Sequence, residues 1–131
     1  MIIGTGIDLV DIERLKNIIK KWDVLFLKKV YTEQEIYYCE KKNMNRYQSY
    51  AGLFAAKEAW VKALGTGFRN IKWTEIEVRK DLSGKPLIHL SDRLLAITKE
   101  RNIDCIHLSI SHTSHLAVAQ VIVEKRDNLL L

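Results

Sequence analysis

The segment from Tyr50 to Leu64, YAGLFAAKEAWVKAL, constrains the fold of this chain more than any other. At 100° per residue it predicts a helix that is apolar on nearly every side. One stripe of that helix is made of small residues and another of bulky ones: Gly52, Ala56, Ala59 and Ala63, against Leu53, Trp60 and Leu64. A helix with so much apolar surface is expected to be buried, yet this one carries Lys57, Glu58 and Lys62.

Glu58 and Lys62 are four residues apart and therefore share one face of this helix, beside Ala51 and Ala55. Charged groups in apolar surroundings are unfavourable unless they are paired, bind a metal ion or take part in catalysis. The pattern therefore predicts a pocket lined by a carboxylate and an ammonium. The structural alternative is a plain Glu–Lys pair, which contributes about 0.2–0.5 kcal/mol to helix stability.

The composition places limits on the class of protein. A chain of 131 residues suits a single domain spanning residues 1–131, and 47% hydrophobic with 28% charged residues is typical of soluble globular proteins. The net charge of +5 indicates an anionic partner. Cys39 and Cys105 lie in unlike contexts and are interpreted as reduced thiols. We find no signal-peptide pattern or membrane span, so we expect a cytoplasmic protein.

Strand and helix patterns alternate in an order that predicts an α+β fold. The first half predicts a buried strand over Ile2–Leu9, a helix over Ile12–Lys21 with Asp11 as N-cap and Trp22 on its core face, and a helix from the Thr32/Glu35 capping box to about Lys42. Gly65 ends the apolar helix. The second half predicts a strand over Trp73–Lys80, a turn at Ser83-Gly84, a strand over Pro86–Leu90, a helix capped by Ser91, and a hairpin of Ile106–Ser111 with His115–Glu124. We therefore expect an antiparallel sheet packed with helices.

Asp8 is the second carboxylate of interest, since it lies at the end of the first predicted strand. Alone, an aspartate there is interpreted as a turn or cap residue. Together with Glu58 it offers the oxygen ligands that Mg²⁺ prefers, and Mn²⁺ suits the same ligands. Lys62, one turn beyond Glu58, would reach phosphates bound to such an ion.

Three further segments are candidates for anion binding. Gly65 and Thr66 either expose backbone N–H groups to an anion or form a helix C-cap and loop. Gly84, Lys85 and Pro86 form a hairpin turn first and a phosphate contact second. A donor-rich rim is formed by Ser111, His112 and Thr113. A Ser/His nucleophile is disfavoured because no GxSxG turn is present, and His107 and His115 show no metal-ligand spacing, so we do not expect zinc.

These motifs together resemble the holo-acyl-carrier-protein synthases, the short bacterial branch of the 4′-phosphopantetheinyl transferase superfamily. The resemblance runs along the whole chain. It is carried by GIDLVDIERL near the start, FAAKEAWVKALGTGF at 54–68, IEVRKDLSGKP at 76–86 and SISHT at 109–113.

The resemblance implies a 4′-phosphopantetheinyl transferase fold and a Mg²⁺-dependent transfer reaction in fatty acid and lipid metabolism. The 4′-phosphopantetheine arm of coenzyme A would move to a serine of an apo acyl carrier protein, which releases adenosine 3′,5′-bisphosphate. Asp8 and Glu58 match the family's metal ligands, and Lys62 matches the lysine near the pyrophosphate; we expect these three residues to be catalytic. Residues in the segments that line the coenzyme A site of relatives are Thr66, Gly84, Lys85, Pro86, His112 and Thr113.

The resemblance also implies two kinds of protein partner. Relatives dock an acidic carrier protein on their first helix, so the basic residues Arg14, Lys20, Lys21 and Lys28 are expected to bind it. Relatives are homotrimers with the active site at the subunit boundary. The competing interpretation is a small basic nucleic-acid-binding module, which would use the Arg14–Lys29 stretch, but the basic residues are spread among acidic ones and no nucleic-acid motif is present. We therefore expect neither nucleic acid nor membrane as a partner.

Overall fold

The computed structural model describes residues 1–65 and 70–127. Its helices and strands follow in the order β1 (Ile2–Asp11), α1 (Ile12–Trp22), α2 (Val24–Val30), α3 (Glu33–Glu40), α4 (Arg46–Leu64), β2 (Ile76–Lys80), β3 (Pro86–Leu90), α5 (Asp92–Glu100), β4 (Cys105–His112) and β5 (Leu116–Glu124). Short 3₁₀ turns lie at Asn43–Asn45 and Trp73–Glu75. Among the described residues, no helix combines the length and apolar composition needed to cross a bilayer.

The strands form two antiparallel sheets, as the predicted α+β class requires. One has three strands in the order β1-β5-β4, and the other is the hairpin of β2 and β3. In the larger sheet Asp8 lies opposite Ala119, and Ile110 lies opposite Ala119 on the other side. Helix α4 packs across one face of this sheet and forms most of the hydrophobic core with it.

Small residues set the distance between α4 and β1. A Cβ atom at Gly6 would lie 1.9 Å from the carbonyl oxygen of Ala59, and one at Gly4 would lie 2.3 Å from that of Ala63. The strand therefore contacts the predicted small-residue stripe of the helix, backbone against backbone. Side chains alternate along a strand, so Asp8 follows Gly4 and Gly6 on the face that meets α4.

The predicted helix boundaries are largely confirmed, because local hydrogen bonds fix them. The side chain of Asp11 accepts from the Arg14 amide, and Thr32 and Glu35 form both bonds of the capping box. Ser91 caps α5, and Gly65 ends α4 in the left-handed conformation with φ of 81°. The apolar helix begins at Arg46, four residues before the predicted start, since no strong cap marks its beginning.

Three predictions about local structure were wrong. Strand β1 is not buried, since Ile7 and Leu9 are 60% and 61% exposed on the face away from α4. Trp22 points to solvent instead of the core, because α1 ends there and the chain turns into a helix, α2, that the sequence did not predict. The predicted strand from Trp73 begins as a 3₁₀ turn, and pairing with β3 starts only at Ile76.

Candidate active site

Asp8, Glu58 and Lys62 lie together where β1 passes the last turns of α4. The Lys62 ammonium donates to an Asp8 carboxylate oxygen at 3.0 Å and to the Ile7 carbonyl at 3.1 Å. The plain Glu58–Lys62 pair is therefore not what the structure forms, since Lys62 reaches across to the strand. This contact joins two groups that are 54 positions apart in the sequence.

The electrostatics of Glu58 indicate a crowded negative site. Burial raises the pKa of this half-buried carboxyl above its ordinary value of 4.5, and the Asp8 charge raises it further. The Lys62 ammonium acts in the opposite direction, and it does not cancel the other two effects. Two neighbouring carboxylates with only partial compensation form a place where an added positive charge is favourable.

These three side chains line a cavity of about 540 Å³ that opens to solvent. Its other walls come from β1, α1 and the aromatic side chains of Phe26 and Phe54. Arg14, one of the predicted partner-binding residues, also lines it, while Lys20, Lys21 and Lys28 are exposed at the ends of α1 and α2. Of the four predicted docking residues, Arg14 is thus the one that adjoins this opening.

A second cavity, of about 460 Å³, lies beside the β2–β3 hairpin. Three predicted coenzyme A residues line it: Gly84, Pro86 and His112. Sequence reasoning missed three others, namely Tyr38, Lys42 and Lys80. The Tyr38 ring has the Lys42 ammonium at 5.0 Å and the Lys80 ammonium at 4.9 Å, which makes this wall strongly basic. Lysine at helix and strand ends is too common a pattern to have indicated this site.

The structure uses several other predicted residues locally. The Gly65 amide donates to the carbonyls of Val61 and Lys62, so the C-cap interpretation of Gly65 is confirmed. The amide of Lys85 donates to an Asp81 oxygen that also holds Ser83, which confirms the turn there. The Thr113 hydroxyl accepts from the amides of His115 and Leu116 in the β4–β5 connection.

The remaining predicted coenzyme A residues lie apart or beyond the described chain. Strand alternation places Ser111 on the opposite face of the sheet from His112. The rim of three neighbouring donors therefore does not form on one surface. Thr66 lies outside the described residues.

Lys57, next to Glu58, is a charged group whose environment the sequence did not reveal. Its side chain is fully buried, and the ammonium donates to the Glu35 carboxylate at 2.6 Å and to the carbonyls of Val30 and Trp73 at 2.7 and 3.2 Å. The other Glu35 oxygen accepts from the Val78 amide at 2.9 Å. Lys57 thus ties α4 to α2, α3 and β2. The capping box revealed only the local role of Glu35.

Known proteins match this chain over nearly its full length. The family described as the 4′-phosphopantetheinyl transferase superfamily matches residues 4–121. The holo-[acyl-carrier-protein] synthase of Clostridium tetani is 53% identical over 124 residues, which is 95% of this chain and 97% of that relative. That of Halothermothrix orenii is 49% identical over 125 residues, or 95% of this chain and 99% of that relative.

Solved structures agree with these sequence matches. The holo-[acyl-carrier-protein] synthase of Neisseria meningitidis superimposes with a TM-score of 0.89 at 32% identity, over 95% of this chain and all of that one. That of Bacillus anthracis, in complex with CoA (3′,5′-ADP), gives a TM-score of 0.79 at 37% identity over 96% and 99% of the two chains. The chain therefore belongs to the 4′-phosphopantetheinyl transferase superfamily and, within it, to the holo-[acyl-carrier-protein] synthases, a family of enzymes.

Proposed function

We propose that residues 1–131 form one catalytic domain that transfers the 4′-phosphopantetheine group of coenzyme A to a serine of an apo acyl carrier protein, with adenosine 3′,5′-bisphosphate as the second product. The observation that carries this proposal is the Asp8–Glu58–Lys62 cluster at the edge of an open cavity. Coenzyme A bound to the Bacillus anthracis relative supports the choice of donor.

The residues present fit a divalent cation. Asp8 and Glu58 supply carboxylate oxygens, the ligands that Mg²⁺ and Mn²⁺ accept, and the Asp8 charge raises the pKa of Glu58. Neutralising these carboxylates would relieve that repulsion. When bound, Mg²⁺ would neutralise the pyrophosphate oxygens of coenzyme A and the charge that develops on the leaving group.

The protein's own groups would position the reactants and move one proton. Lys62, half exposed and oriented by Asp8, presents its ammonium to a phosphate that enters the cavity. Glu58 has a pKa above its ordinary value, which makes it a better proton acceptor than an exposed glutamate, so we assign it the proton of the attacking serine. Arg14, Lys20, Lys21 and Lys28 would bind the acidic carrier protein beside this opening.

We further propose that coenzyme A contacts the second cavity and that the enzyme is a homotrimer. In the described part of the chain, the two cavity linings share no residue. A site that needs both sets would be completed when neighbouring copies bring the metal-binding set of one next to the coenzyme A set of another. Apolar side chains exposed on the open face of the sheet support such an assembly: Ile7, Leu9 and Leu116.

The remaining parts of the proposal concern the coenzyme A contacts and location. Gly65, Thr66, Gly84, Lys85, Pro86, Ser111, His112 and Thr113 stay predicted contacts, to which we add Tyr38, Lys42 and Lys80. A role in fatty acid biosynthesis follows from the carrier-protein substrate. We also propose a cytoplasmic location, because Cys39 and Cys105 are free thiols, as in proteins of reducing compartments.

The direct test is a mass measurement on apo acyl carrier protein incubated with coenzyme A, Mg²⁺ and the purified chain. We expect the carrier protein to gain the mass of the phosphopantetheine arm, and we expect no gain when Mg²⁺ is chelated or when Asp8→Asn replaces the wild-type chain. Transfer at an unchanged rate in both cases would overturn the assigned roles of the cation and of Asp8.

The subunit boundary is tested by mixing two variants that are each inactive, Asp8→Asn and His112→Ala, after co-refolding. With random assortment, about a quarter of the sites in a symmetric oligomer combine an unchanged Asp8 from one copy with an unchanged His112 from its neighbour. We expect activity to return to about a quarter of the wild-type level. Failure of the mixture to regain activity, with each variant correctly assembled by light scattering, would show that each copy carries its own complete site.

A further inference from the structure

A second cluster of metal-ligand side chains lies at the far end of the larger sheet. One donor atom each from Cys105, His107 and Glu124 lies within 4.8 Å of the others. Cys105 and Glu124 are direct partners across β4 and β5, and His107 follows on the same face of β4. The His107 Nε2 atom is 2.9 Å from a Glu124 oxygen.

This cluster is separate from the candidate active site. Asp8 pairs with Ala119, five positions along β5 from Glu124. Alternation along β5 places Ala117, Ala119, Val121 and Val123 against α4, so Glu124 lies on the other face. The proposed catalytic reaction makes no use of these three residues.

We propose that Cys105, His107 and Glu124 form a binding site for a transition-metal dication of the Zn²⁺ type. Thiolate, imidazole and carboxylate are the ligand types that Zn²⁺ binds, whereas Mg²⁺ takes oxygen ligands. Three protein ligands leave a fourth position for water or another ligand. Zinc was not expected from the sequence, because only the spacing of His107 and His115 was considered. The glutamate of this cluster lies on the neighbouring strand, which that spacing does not include.

The sheet holds the three ligands close to the separation that a metal needs. Zn²⁺ bonds of about 2.0–2.3 Å in a tetrahedral arrangement place ligand atoms roughly 3.3–3.8 Å apart. The imidazole and carboxylate atoms, 2.9 Å apart, are a few tenths of an ångström closer than this. Since the three donor atoms lie within 4.8 Å of one another, the thiol needs a movement of at most about 1 Å, which side-chain rotation can supply while both strands stay in register.

Two positive groups lie beside this site. The Arg126 guanidinium is 3.6 Å from the Cys105 sulfur. The same guanidinium and the N-terminal ammonium repel an approaching cation. The Arg126 side chain is exposed and can turn away, whereas the ammonium donates to the Lys125 carbonyl and stays in place, so we expect binding weaker than at a closed four-cysteine site.

Binding would fasten the beginning of β4 to the end of β5. The first residue of the chain joins the same end of the sheet, through reciprocal backbone hydrogen bonds between Met1 and Lys125. Among the described residues, β4 is an edge strand of this sheet and is hydrogen-bonded to β5 alone. We therefore expect Zn²⁺ to raise the melting temperature of the full chain.

Cobalt is the probe for the test, because Co²⁺ bound to a thiolate gives a charge-transfer absorption band. Titration of the full chain with Co²⁺ should produce that band with one ion per chain, and Zn²⁺ should abolish it by displacement. Cys105→Ser should remove the band, and His107→Gln should weaken binding by at least about tenfold, the loss that even outer-shell changes cause. Wild-type protein that gives no band would overturn the site.

Matched controls separate this site from other metal binding. His115→Gln removes an exposed imidazole outside the cluster and should leave the titration unchanged. Asp8→Asn should also retain the band, since a cation at the proposed catalytic carboxylates contacts no thiolate. If His107→Gln bound Co²⁺ as tightly as wild type, the cysteine alone would be responsible, and the three-ligand site would be wrong. Circular dichroism checks that each variant is folded.

Discussion

Two lysines of helix α4 sit five residues apart and have opposite environments. Lys57 is fully buried, and its ammonium has three acceptors: the Glu35 carboxylate and the carbonyls of Val30 and Trp73. Lys62 has a side chain that is 54% exposed, and it meets one carboxylate, that of Asp8, at the edge of an open cavity. An ammonium carries three donors, so Lys57 is saturated by the protein itself.

The contrast separates a charge that the protein satisfies itself from a charge that remains available to a ligand. The Lys57–Glu35 pair holds several elements together and leaves no room for a ligand. Around Lys62, two carboxylates lie close enough that the Asp8 charge raises the pKa of Glu58, so the site has unbalanced charge and space beside it. Saturation by the protein indicates structure, whereas unbalanced charge next to a cavity indicates binding or catalysis.

The largest expected effect is on stability, from Lys57→Met. Removing the ammonium leaves the buried Glu35 carboxylate without its ion-pair partner, which we expect to lower the free energy of unfolding by about 3–5 kcal/mol. The matched change Lys62→Met removes an exposed pair and should alter it by less than about 1 kcal/mol. Urea denaturation of both variants measures the difference.

A second variant keeps this prediction testable if Lys57→Met does not fold. Adding Glu35→Gln removes the buried negative charge as well, so the double variant should recover part of the lost stability. If Lys57→Met and Lys62→Met were equally stable, the burial and pairing of the ammonium would not determine how much each lysine contributes to the free energy of unfolding.

The second expected effect is on catalysis, where Lys62 matters although its loss changes stability little. Lys62→Ala should lower kcat by about 100-fold, the scale of losing one preorganised charge at a reacting group, while leaving the unfolding curve nearly unchanged. Steady-state kinetics with saturating coenzyme A and carrier protein measure kcat. Full activity in Lys62→Ala would remove this lysine from the proposed mechanism.

The sequence allowed the open site to be predicted better than the saturated one. Asp8, Glu58 and Lys62 belong to motifs that resemble a known family, and the helix positions of Glu58 and Lys62 follow from 3.6-residue periodicity. The Lys57–Glu35 pair joins residues 22 positions apart through side-chain contacts that no periodicity encodes. The exposure of β1 was mispredicted for a related reason, since an apolar strand has the same sequence whether or not a second layer covers it.

The third prediction concerns the surface next to Lys62. Arg14 lines the same cavity, and Lys21 lies exposed at the end of α1. Reversing both charges with Arg14→Glu and Lys21→Glu should raise the KM for carrier protein about tenfold and leave the KM for coenzyme A nearly unchanged. The matched control is Lys99→Glu at the end of α5, whose kinetics should resemble wild type. Equal increases in both KM values would argue against a docking surface.

The smallest expected effect is on stability, from Glu58→Gln. Glu58 follows Lys57 in the sequence, but its carboxyl lies near Lys62 in space. Burial, and then the Asp8 charge, raise the pKa of Glu58 above 4.5 in the folded chain. Below the unfolded pKa the carboxyl is protonated in both states. As the pH rises through the higher folded value, the folded chain loses stability, because it holds a charge in an unfavourable place.

Glu58→Gln should therefore unfold at the same urea concentration as wild type near pH 4 and at a slightly higher one near pH 8, when no divalent cation is present. Mg²⁺ should reduce the difference, since it stabilises only the wild-type carboxylate pair. A variant less stable than wild type at pH 8 would mean that Glu58 contributes to the fold in the way Lys57 does. Loss of stability in Lys57→Met together with a gain in Glu58→Gln would be opposite effects at adjacent residues. Such a result would show that a single turn of α4 carries one charge that stabilises the fold and one that does not.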